Sequence, residues 1–414
     1  MEGPLLSNDA VIFGILTSIL AFVFYTSSSD SPVWKRVYTF FPPVLACYFL
    51  PSLLNTLGIV DPDQSKLYFV SSRYLLPASL VLLTLSVDLR TILRLGYMPI
   101  VLFLTGTVGI IIGGPIALLI VSYLDPALVG GSGPDAIWRG MTTIAGSWIG
   151  GGANQTAMKE VFKVGDTIFS AMITVDIIVG NIWMAFLLYG AGMRDRIDKW
   201  LQADTRIIGE VQKRIESYWS EIAKIPALKD TALICAIGFG MTGLAHFGAD
   251  LIAPFIQHHF PGAARFSLTS GFFWIIVIAT TGGILLSFTK ARDLEGAGAS
   301  RIGSLLLYIL VASIGMKMNV LAIFDNLSLF LVGVIWISIH AGLLILVARL
   351  LKAPLFFMAV GSQANVGGAA SAPIVAAAFH PALAPIGVLL AVLGYAVGTY
   401  GAWICGLILQ AIGN

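Results

Sequence analysis

Charged residues are scarce in this chain: Asp, Glu, Lys and Arg make up only 11% of its 414 residues, against about a quarter in a typical soluble protein. Because hydrophobic residues make up 57%, we expect the chain to lie in a lipid bilayer. The net charge of +2 excludes the broad basic field that recruits nucleic acid, so no nucleic-acid partner is expected. Cysteine is also scarce: Cys47, Cys235 and Cys405 lie far apart in apolar stretches, which excludes a disulfide framework and a CxxC metal site.

Long apolar windows dominate the rest of the sequence. The first run, residues 11–24, lacks a preceding Lys or Arg and a following small-residue cleavage site, so we expect it to stay as a membrane helix. Twelve windows approach the roughly 20 apolar residues that a membrane span needs. Six lie on each side of a polar break, at residues 8–26, 37–59, 70–88, 97–123, 141–160, 164–191, 231–256, 266–289, 302–317, 327–350, 355–378 and 383–412.

The polar break, residues 194–230, contains eight of the 24 Lys and Arg residues. Apolar side chains recur in it every three to four residues, as in an amphipathic helix on a membrane surface. A soluble linker helix packed on the protein explains the pattern equally well, and the positive charge favours the cytoplasmic side in both cases. We therefore predict an N-terminal membrane repeat 1–193, the linker 194–230 and a C-terminal membrane repeat 231–414.

The fifth window of each half carries a shared motif. Its residues are Gly146, Ser147, Gly152 and Ala157 in the first half, and at a constant offset Gly361, Ser362, Gly367 and Ala372 in the second. Internal duplication in a protein with many spans is typical of a secondary transporter. Twelve crossings would make the repeats parallel, whereas two re-entrant fifth windows would leave ten crossings and inverted repeats. The number of basic residues on each side of the membrane differs little between the two arrangements. Our preference for inverted repeats therefore rests on the chemistry of the motifs.

Both motifs place glycines and neutral polar side chains in the middle of an apolar window. Irregular backbone at that depth is tolerated only inside protein or beside water. We therefore predict an all-α polytopic membrane protein with two inverted repeats, each of about five transmembrane helices plus a Gly-rich re-entrant hairpin or broken helix. The alternative is that the small residues only let helices pack closely.

A Gly-rich break exposes helix ends, with N–H groups on one side and carbonyls on the other, which suits an anion and a cation together. Neutral oxygen and amide groups suit Na⁺ and a small carboxylate better than a soft transition metal. The predicted substrate-binding residues are Ser147, Gly151, Asn154, Gln155, Thr156, Ser362, Gln363, Asn365, Gly367 and Ser371.

Asp176 falls near the centre of the window 164–191, with Asn181 a little over one turn later. A carboxylate at that depth is costly unless it binds a cation or takes up a proton, so we predict that these two residues couple Na⁺ or H⁺. A structural ion pair or buried hydrogen bond is the alternative. No other cofactor or metal is expected. The same reasoning assigns Asp88 and Lys317 to the membrane interface and His340 to a hydrogen bond between helices.

The stretches GSWIGGGANQTAMKEVF and GSQANVGGAASAPIVAAAF resemble the two signature regions of the YjcL-like family of uncharacterised integral membrane proteins. That family is similar in pattern to the sodium-glutamate, citrate and bile-acid symporters and the cation/proton antiporters. The resemblance implies a 5+5 inverted-repeat fold, a scaffold with a mobile, elevator-type transport domain, a homodimer, and a place in the bacterial inner membrane. The GGxG signature of citrate-type transporters is not matched at Gly150-Gly151-Gly152-Ala153, which disfavours a citrate-like substrate.

The predicted function is therefore secondary active transport of a small organic solute, anionic or zwitterionic, coupled to Na⁺ or H⁺ by alternating access. A monovalent cation/proton antiporter on the same fold is the first alternative, weakened by the single deep carboxylate. An intramembrane enzyme is a remote alternative, because the sequence has no HExxH, GxGD or convincing Ser-His pair. A passive channel would not need two broken elements with polar groups at mid-depth.

Overall fold

The computed structural model describes residues 5–41, 43–88, 92–93, 95–124, 131–206, 208, 226–317, 328–380 and 383–413. In the N-terminal half the helices are α1 Asp9–Ser27, α2 Pro32–Phe40, α3 Pro43–Thr56, α4 Leu67–Leu85, α5 Tyr97–Leu124, α6 Ile137–Val161 and α7 Asp166–Gly192. Helix α8, Arg194–Leu201, follows in the linker, of which residues 207 and 209–225 lie outside the described residues.

The C-terminal half repeats this order of helices. They are α9 Leu228–His259, α10 Gly271–Ser287, α11 Ala299–Gly315, α12 Ser328–Leu350, α13 Leu355–Val366, α14 Gly368–Phe379 and α15 Ala384–Gly413, with short 3-10 helices at Pro261–Phe266 and Lys290–Ala297. Each of the twelve apolar windows overlaps at least one of these helices, and the window 355–378 overlaps both α13 and α14, so the predicted all-helical architecture is confirmed for the described residues. Seven helices are long and apolar enough to cross a membrane, and two bent helix pairs raise the number to nine.

Local sequence explains several helix ends. The Asn8 side chain accepts a hydrogen bond from the Ala10 N–H and so caps α1, and Ser270 does the same for the Phe273 N–H at the start of α10. Helix α4 contains a π-helical stretch at Ser71–Leu75, directly before Pro77, a residue that cannot donate a backbone hydrogen bond.

Helix α6 is a hairpin rather than a rod. Gly151 has φ of 75° and ψ of −174°, a conformation that only glycine adopts readily, and the chain reverses there. A Cβ added to Gly146 would lie 2.6 Å from the Asn154 carbonyl oxygen, although residues eight apart in a straight helix are separated by about 12 Å. The ends of the hairpin also meet, because the Gly165 N–H donates to the Pro134 carbonyl over 2.8 Å. We call α6 hairpin 1.

Helices α13 and α14 form a second hairpin, here hairpin 2, which turns at Gly367 and Gly368. Gly368 has φ of 58°, and Gln363 in one arm bonds Ser371 in the other over 2.7 Å. The rings of Phe356 and Phe379 at the two ends lie 5.4 Å apart. Both ends contact α8, since Arg194 donates to the Phe379 carbonyl and the Leu355 N–H donates to Asp198. Burial raises the pKa of the Asp198 carboxyl.

The helices pack as two groups. The first bundle contains α1–α4 and α9–α11, and the second contains α5–α7 and α12–α15. The base of hairpin 1 lies at the end of the molecule that holds Asp63 and Lys317, here face A. The base of hairpin 2 lies at the end that holds α8, here face B. The two hairpins thus enter the second bundle from opposite faces.

Candidate functional site

A cavity of about 610 Å³ lies between the two bundles. The second bundle contributes the tips of both hairpins and part of α7, and the first bundle contributes α2, α3 and α11. Eight predicted site residues line the cavity together: Ser147, Gly151, Gln155, Asp176, Asn181, Gln363, Gly367 and Ser371. The structure therefore gathers residues from both motifs and from α7 around one space.

The hairpin tips meet at the inner end of this cavity. A Cβ added to Gly368 would come within 4.0 Å of the Gly151 Cα, and Gly151 itself faces the ring of Tyr395 in α15. Both tips lie against α15, because a Cβ on Gly394 would lie 2.9 Å from the Ile149 carbonyl oxygen and 3.5 Å from that of Ala364. Side chains larger than hydrogen would separate these backbones.

Asp176 lies beside the tip of hairpin 1 and is 8% exposed. The Trp148 indole N–H donates to its Oδ1 over 2.6 Å and the Gln155 amide donates to its Oδ2 over 2.8 Å. Ser147 of the same hairpin lines the cavity next to Trp148. Donors from one hairpin thus hold the carboxylate at the wall of the cavity, in the arrangement that a charged carboxylate needs when it leaves water.

The other four predicted residues do not line the cavity. The Asn154 amide donates to Gly150 and accepts from the Thr399 hydroxyl of α15 over 2.6 Å. The Asn365 amide bonds Phe103 and Thr107 of α5, and the Thr156 hydroxyl donates to the Gly152 carbonyl. These side chains hold the hairpins to neighbouring backbone and helices.

Ser362, the fourth of these residues, joins three helices. Its hydroxyl oxygen lies 2.8 Å from the Trp183 indole nitrogen and 2.8 Å from Nε2 of His340. Nδ1 of His340 lies 2.9 Å from the Gly106 carbonyl oxygen, so the imidazole joins α12 to α5 and to hairpin 2. His340 is fully buried and makes the expected helix-to-helix hydrogen bonds.

Several cavity residues were absent from the sequence prediction. Four are tyrosines, Tyr38, Tyr48, Tyr308 and Tyr395, and they supply all the aromatic lining of the described cavity. Trp148, which is buried behind the cavity wall, was also not predicted, although it donates to Asp176 from the motif itself. Its position, directly after Ser147 in the first motif, was the available signal. Tyr395 in the last window could be expected to face the second hairpin, but ordinary packing explains it equally well, and the other three tyrosines carry no signal, because aromatic residues are ordinary in apolar helices.

The cavity extends toward face B. From α7, which starts at face A with Asp166, it is lined by Asp176, Asn181 and Met184 but by no earlier described residue, and from α11 by Ser304 to Val311 in the middle of that helix. Pro43, which begins α3 at the end of that helix away from Asp63, also lines the cavity. Ile374, 54% exposed, lies on its wall in the second arm of hairpin 2. The described lining thus runs from mid-depth to face B.

Charged side chains close the cavity on the side of face A. Arg73 of α4 pairs with Glu160 of hairpin 1 over 3.1 Å, and Tyr68 forms a very short hydrogen bond with the same carboxylate. Lys159, 4% exposed, pairs with Asp166 over 2.6 Å, and Lys317 of α11 approaches Asp166 to 3.6 Å. These contacts, here the face A network, join the first bundle to the second.

Two interfacial predictions can be compared with this arrangement. Lys317 lies at the end of α11 and pairs with Asp63 over 3.2 Å, and Asp88 pairs with Arg292 over 2.9 Å near face B. Asp166 begins α7, where a carboxylate meets the positive end of the helix dipole, and it also pairs with Lys159. Among the described residues no group of three His, Cys, Asp or Glu side chains is placed to hold a metal ion.

Many apolar helices, packed with polar groups at mid-depth, define a multi-pass integral membrane protein. Residues 14–412 match the family model described as "Protein of unknown function (DUF819)", and the chain belongs to that family. The chain is also 25% identical over 364 residues to the "Uncharacterized membrane protein YjcL" of Bacillus subtilis (strain 168), across 84% of this chain and 85% of the relative. The predicted YjcL-like relationship is thereby confirmed.

Proposed function

We propose that this protein is a secondary active transporter that moves a small organic solute, coupled to Na⁺ or H⁺, by alternating access. The observation that carries the proposal is the cavity at which two hairpins from opposite faces bring their Gly-rich tips together beside Asp176. Broken elements that meet at mid-depth are the usual construction of transporter sites, because their free backbone ends replace water around a solute or ion.

The chain trace supports two inverted repeats. Hairpin 1 follows four helical spans and enters from face A, whereas hairpin 2 follows the same order of helices and enters from face B. Among the described residues, the nine candidate spans and the shorter apolar helix α11 make ten elements that can cross between the faces, beside the two hairpins. Because five is an odd number of crossings, the second repeat has the opposite orientation to the first. Inverted repeats of this kind are typical of transporters that open alternately to the two sides of the membrane. The basic residues of the linker 194–230 support a cytoplasmic position for face B.

The division into bundles supports an elevator-type movement. The second bundle contains both hairpins, α7 and α15, and so carries Asp176 and all the amide side chains of the described cavity lining. The first bundle contributes a mainly apolar wall from α3 and α11. Sliding of the second bundle along this wall would carry the site from face B toward face A, a rigid-body change that requires the face A network to break.

Asp176 is proposed as the coupling residue, with Asn181 beside it. Its carboxylate contacts the cavity and is held by donors from hairpin 1, so uptake of Na⁺ or H⁺ there would change the charge at the hairpin tip. A monovalent cation/proton antiporter would use the same carboxylate. The volume of about 610 Å³ favours an organic solute, since small-molecule sites span about 300–1,000 Å³.

Thermal unfolding of the purified protein tests the coupling site without knowledge of the solute. Midpoints are compared in Na⁺, K⁺ and Li⁺ and across pH, for the wild type, Asp176→Asn and the control Asp30→Asn, whose side chain is fully exposed. A ligand that binds only the folded state raises the midpoint by mass action. We expect a cation- or pH-specific rise in the wild type and the control that Asp176→Asn loses. A rise retained in Asp176→Asn would place the coupling site elsewhere.

A further inference from the structure

The charge of the cavity wall points to the class of solute. Among the described residues that line the cavity, Asp176 is charged, and neither Lys, Arg nor His is present. A purely anionic solute would meet a carboxylate with no cationic side chain to offset it, and at low dielectric that repulsion is costly. A solute that brings its own positive charge would instead pair with Asp176.

The amide side chains of the cavity also favour a ligand that donates hydrogen bonds. Gln155 donates its Nε2 to Asp176, Asn181 donates its Nδ2 to the Ile177 carbonyl over 2.7 Å, and Gln363 donates its Nε2 to the Ser371 hydroxyl. One N–H of each amide is therefore engaged within the protein. The Gln155 Oε1 accepts from the Tyr48 hydroxyl over 3.5 Å, which leaves the Asn181 and Gln363 oxygens of the described lining to accept hydrogen bonds from a ligand.

Gln363 is the most informative of the three. It is only 2% exposed, it lines the cavity, and its Oε1 is buried with no hydrogen-bond partner in the described structure. A buried carbonyl oxygen without a partner lowers the free energy of unfolding, because it has lost its hydrogen bond to water. A cavity ligand with an N–H group would remove that cost, which is the usual reason for such an atom at a binding site.

The aromatic lining also favours a cation. The rings of Tyr38, Tyr48, Tyr308 and Tyr395 all face the cavity. The negative face of an aromatic ring attracts ammonium groups, and clusters of such rings are used to bind organic amines. Ile177, Leu307 and Val311 lie among them and provide apolar surface for a carbon skeleton, which a bare metal ion would not need.

We infer that the transported solute carries a protonated amino group, which binds between the Asp176 carboxylate and the Gln363 Oε1 oxygen, with its carbon skeleton against the tyrosines. The inference rests on the proposed function and narrows it, because it removes purely anionic solutes and keeps zwitterions and organic cations. In a zwitterion the carboxylate would lie toward the start of α14, where the helix end offers free N–H groups.

A four-carbon series tests this assignment. Thermal midpoints of the purified full-length protein are measured against 1-aminobutane, 4-aminobutanoate, butanoate and 1-butanol at constant pH and ionic strength. We expect saturable stabilisation by at least one of the two amines and none by butanoate or 1-butanol. The stabilisation should disappear in Asp176→Asn and need at least tenfold more amine in Gln363→Leu. Asp30→Asn, the exposed control, should respond as the wild type does.

Other outcomes overturn the inference. The amine site is excluded if butanoate alone stabilises the protein or if neither amine does. It is also excluded if an amine stabilises Gln363→Leu as strongly as the wild type. If Asp176→Asn does not fold, Gln363→Leu carries the test. Failure of this inference can be distinguished from failure of the proposed function. If no amine stabilises the protein but the midpoint still depends on Na⁺ or pH, and Asp176→Asn loses that dependence, the transporter proposal stands and the amine site does not.

Discussion

Gly151 and Gly368 bring the two hairpins together: a Cβ on Gly368 would lie 4.0 Å from the Gly151 Cα, and both residues have positive φ. The contact joins backbone that lies more than two hundred positions apart in the sequence. It also explains why both motifs contain glycine at the turn. Glycine supplies the conformation and leaves room for the opposite tip, and the polar side chains next to it then surround one cavity.

Gly151→Ala tests the role of the turn. Because φ of 75° with ψ of −174° is essentially restricted to glycine, we expect a loss of about 1–3 kcal/mol in the free energy of unfolding. Thermal or denaturant unfolding of the purified protein measures it. Gly240→Ala is the matched control, since a Cβ there meets nothing within 4 Å in α9, and it should be neutral or slightly stabilising. Equal effects of the two changes would contradict the assigned geometry.

Asn365 and Gln363 provide a matched pair of amides in the same helix. Asn365 bonds Thr107, Phe103 and Gly361, so Asn365→Ala should lower the free energy of unfolding by about 1–3 kcal/mol. Gln363→Ala should cost clearly less, because its Oε1 has no partner to lose. The two midpoints are compared in the absence of any solute. A larger loss for Gln363→Ala than for Asn365→Ala would mean that the amide roles are reversed.

The face A network predicts a conformational effect of charge reversal. Arg73→Glu and Glu160→Arg should each weaken the contact between the bundles and shift the population toward a state open at face A by about tenfold or more. The double variant restores opposite charges and should recover most of the original population. Spin or fluorophore pairs placed across the two bundles at face A measure the distance distribution. A double variant no closer to the wild type than the singles would exclude the Arg73–Glu160 pair as a latch.

Hydropathy was sufficient to locate the helices. For example, the window 97–123 corresponds to α5 Tyr97–Leu124 and the window 383–412 to α15 Ala384–Gly413. A membrane span needs a long apolar run whatever it packs against, so the signal is local. The positions of the Gly-rich breaks could also be predicted from the sequence, because glycine in the middle of a membrane span has few structural uses.

Side-chain direction within the motifs could not be read in the same way. Gln155 contacts Asp176 at the cavity, whereas Asn154, its neighbour, contacts Thr399 of α15. The difference depends on the rotation of one hairpin arm against two other helices, and that rotation is fixed by packing far away in the sequence. The face A network was missed for the same reason, since Arg73 and Glu160 lie 87 positions apart and their approach depends on how the bundles meet.

Alternating access is tested most directly by the accessibility of one cavity position. Ala369 lines the cavity, and Cys47, Cys235 and Cys405 can be replaced to give a background in which Ala369→Cys is the only thiol. A membrane-impermeant thiol reagent is applied to sealed vesicles from either side. We predict reaction from face B in the otherwise unaltered protein, and a gain of reaction from face A with loss from face B when Glu160→Arg is added. Simultaneous access from both faces, or access from face B alone in every variant, would contradict the account.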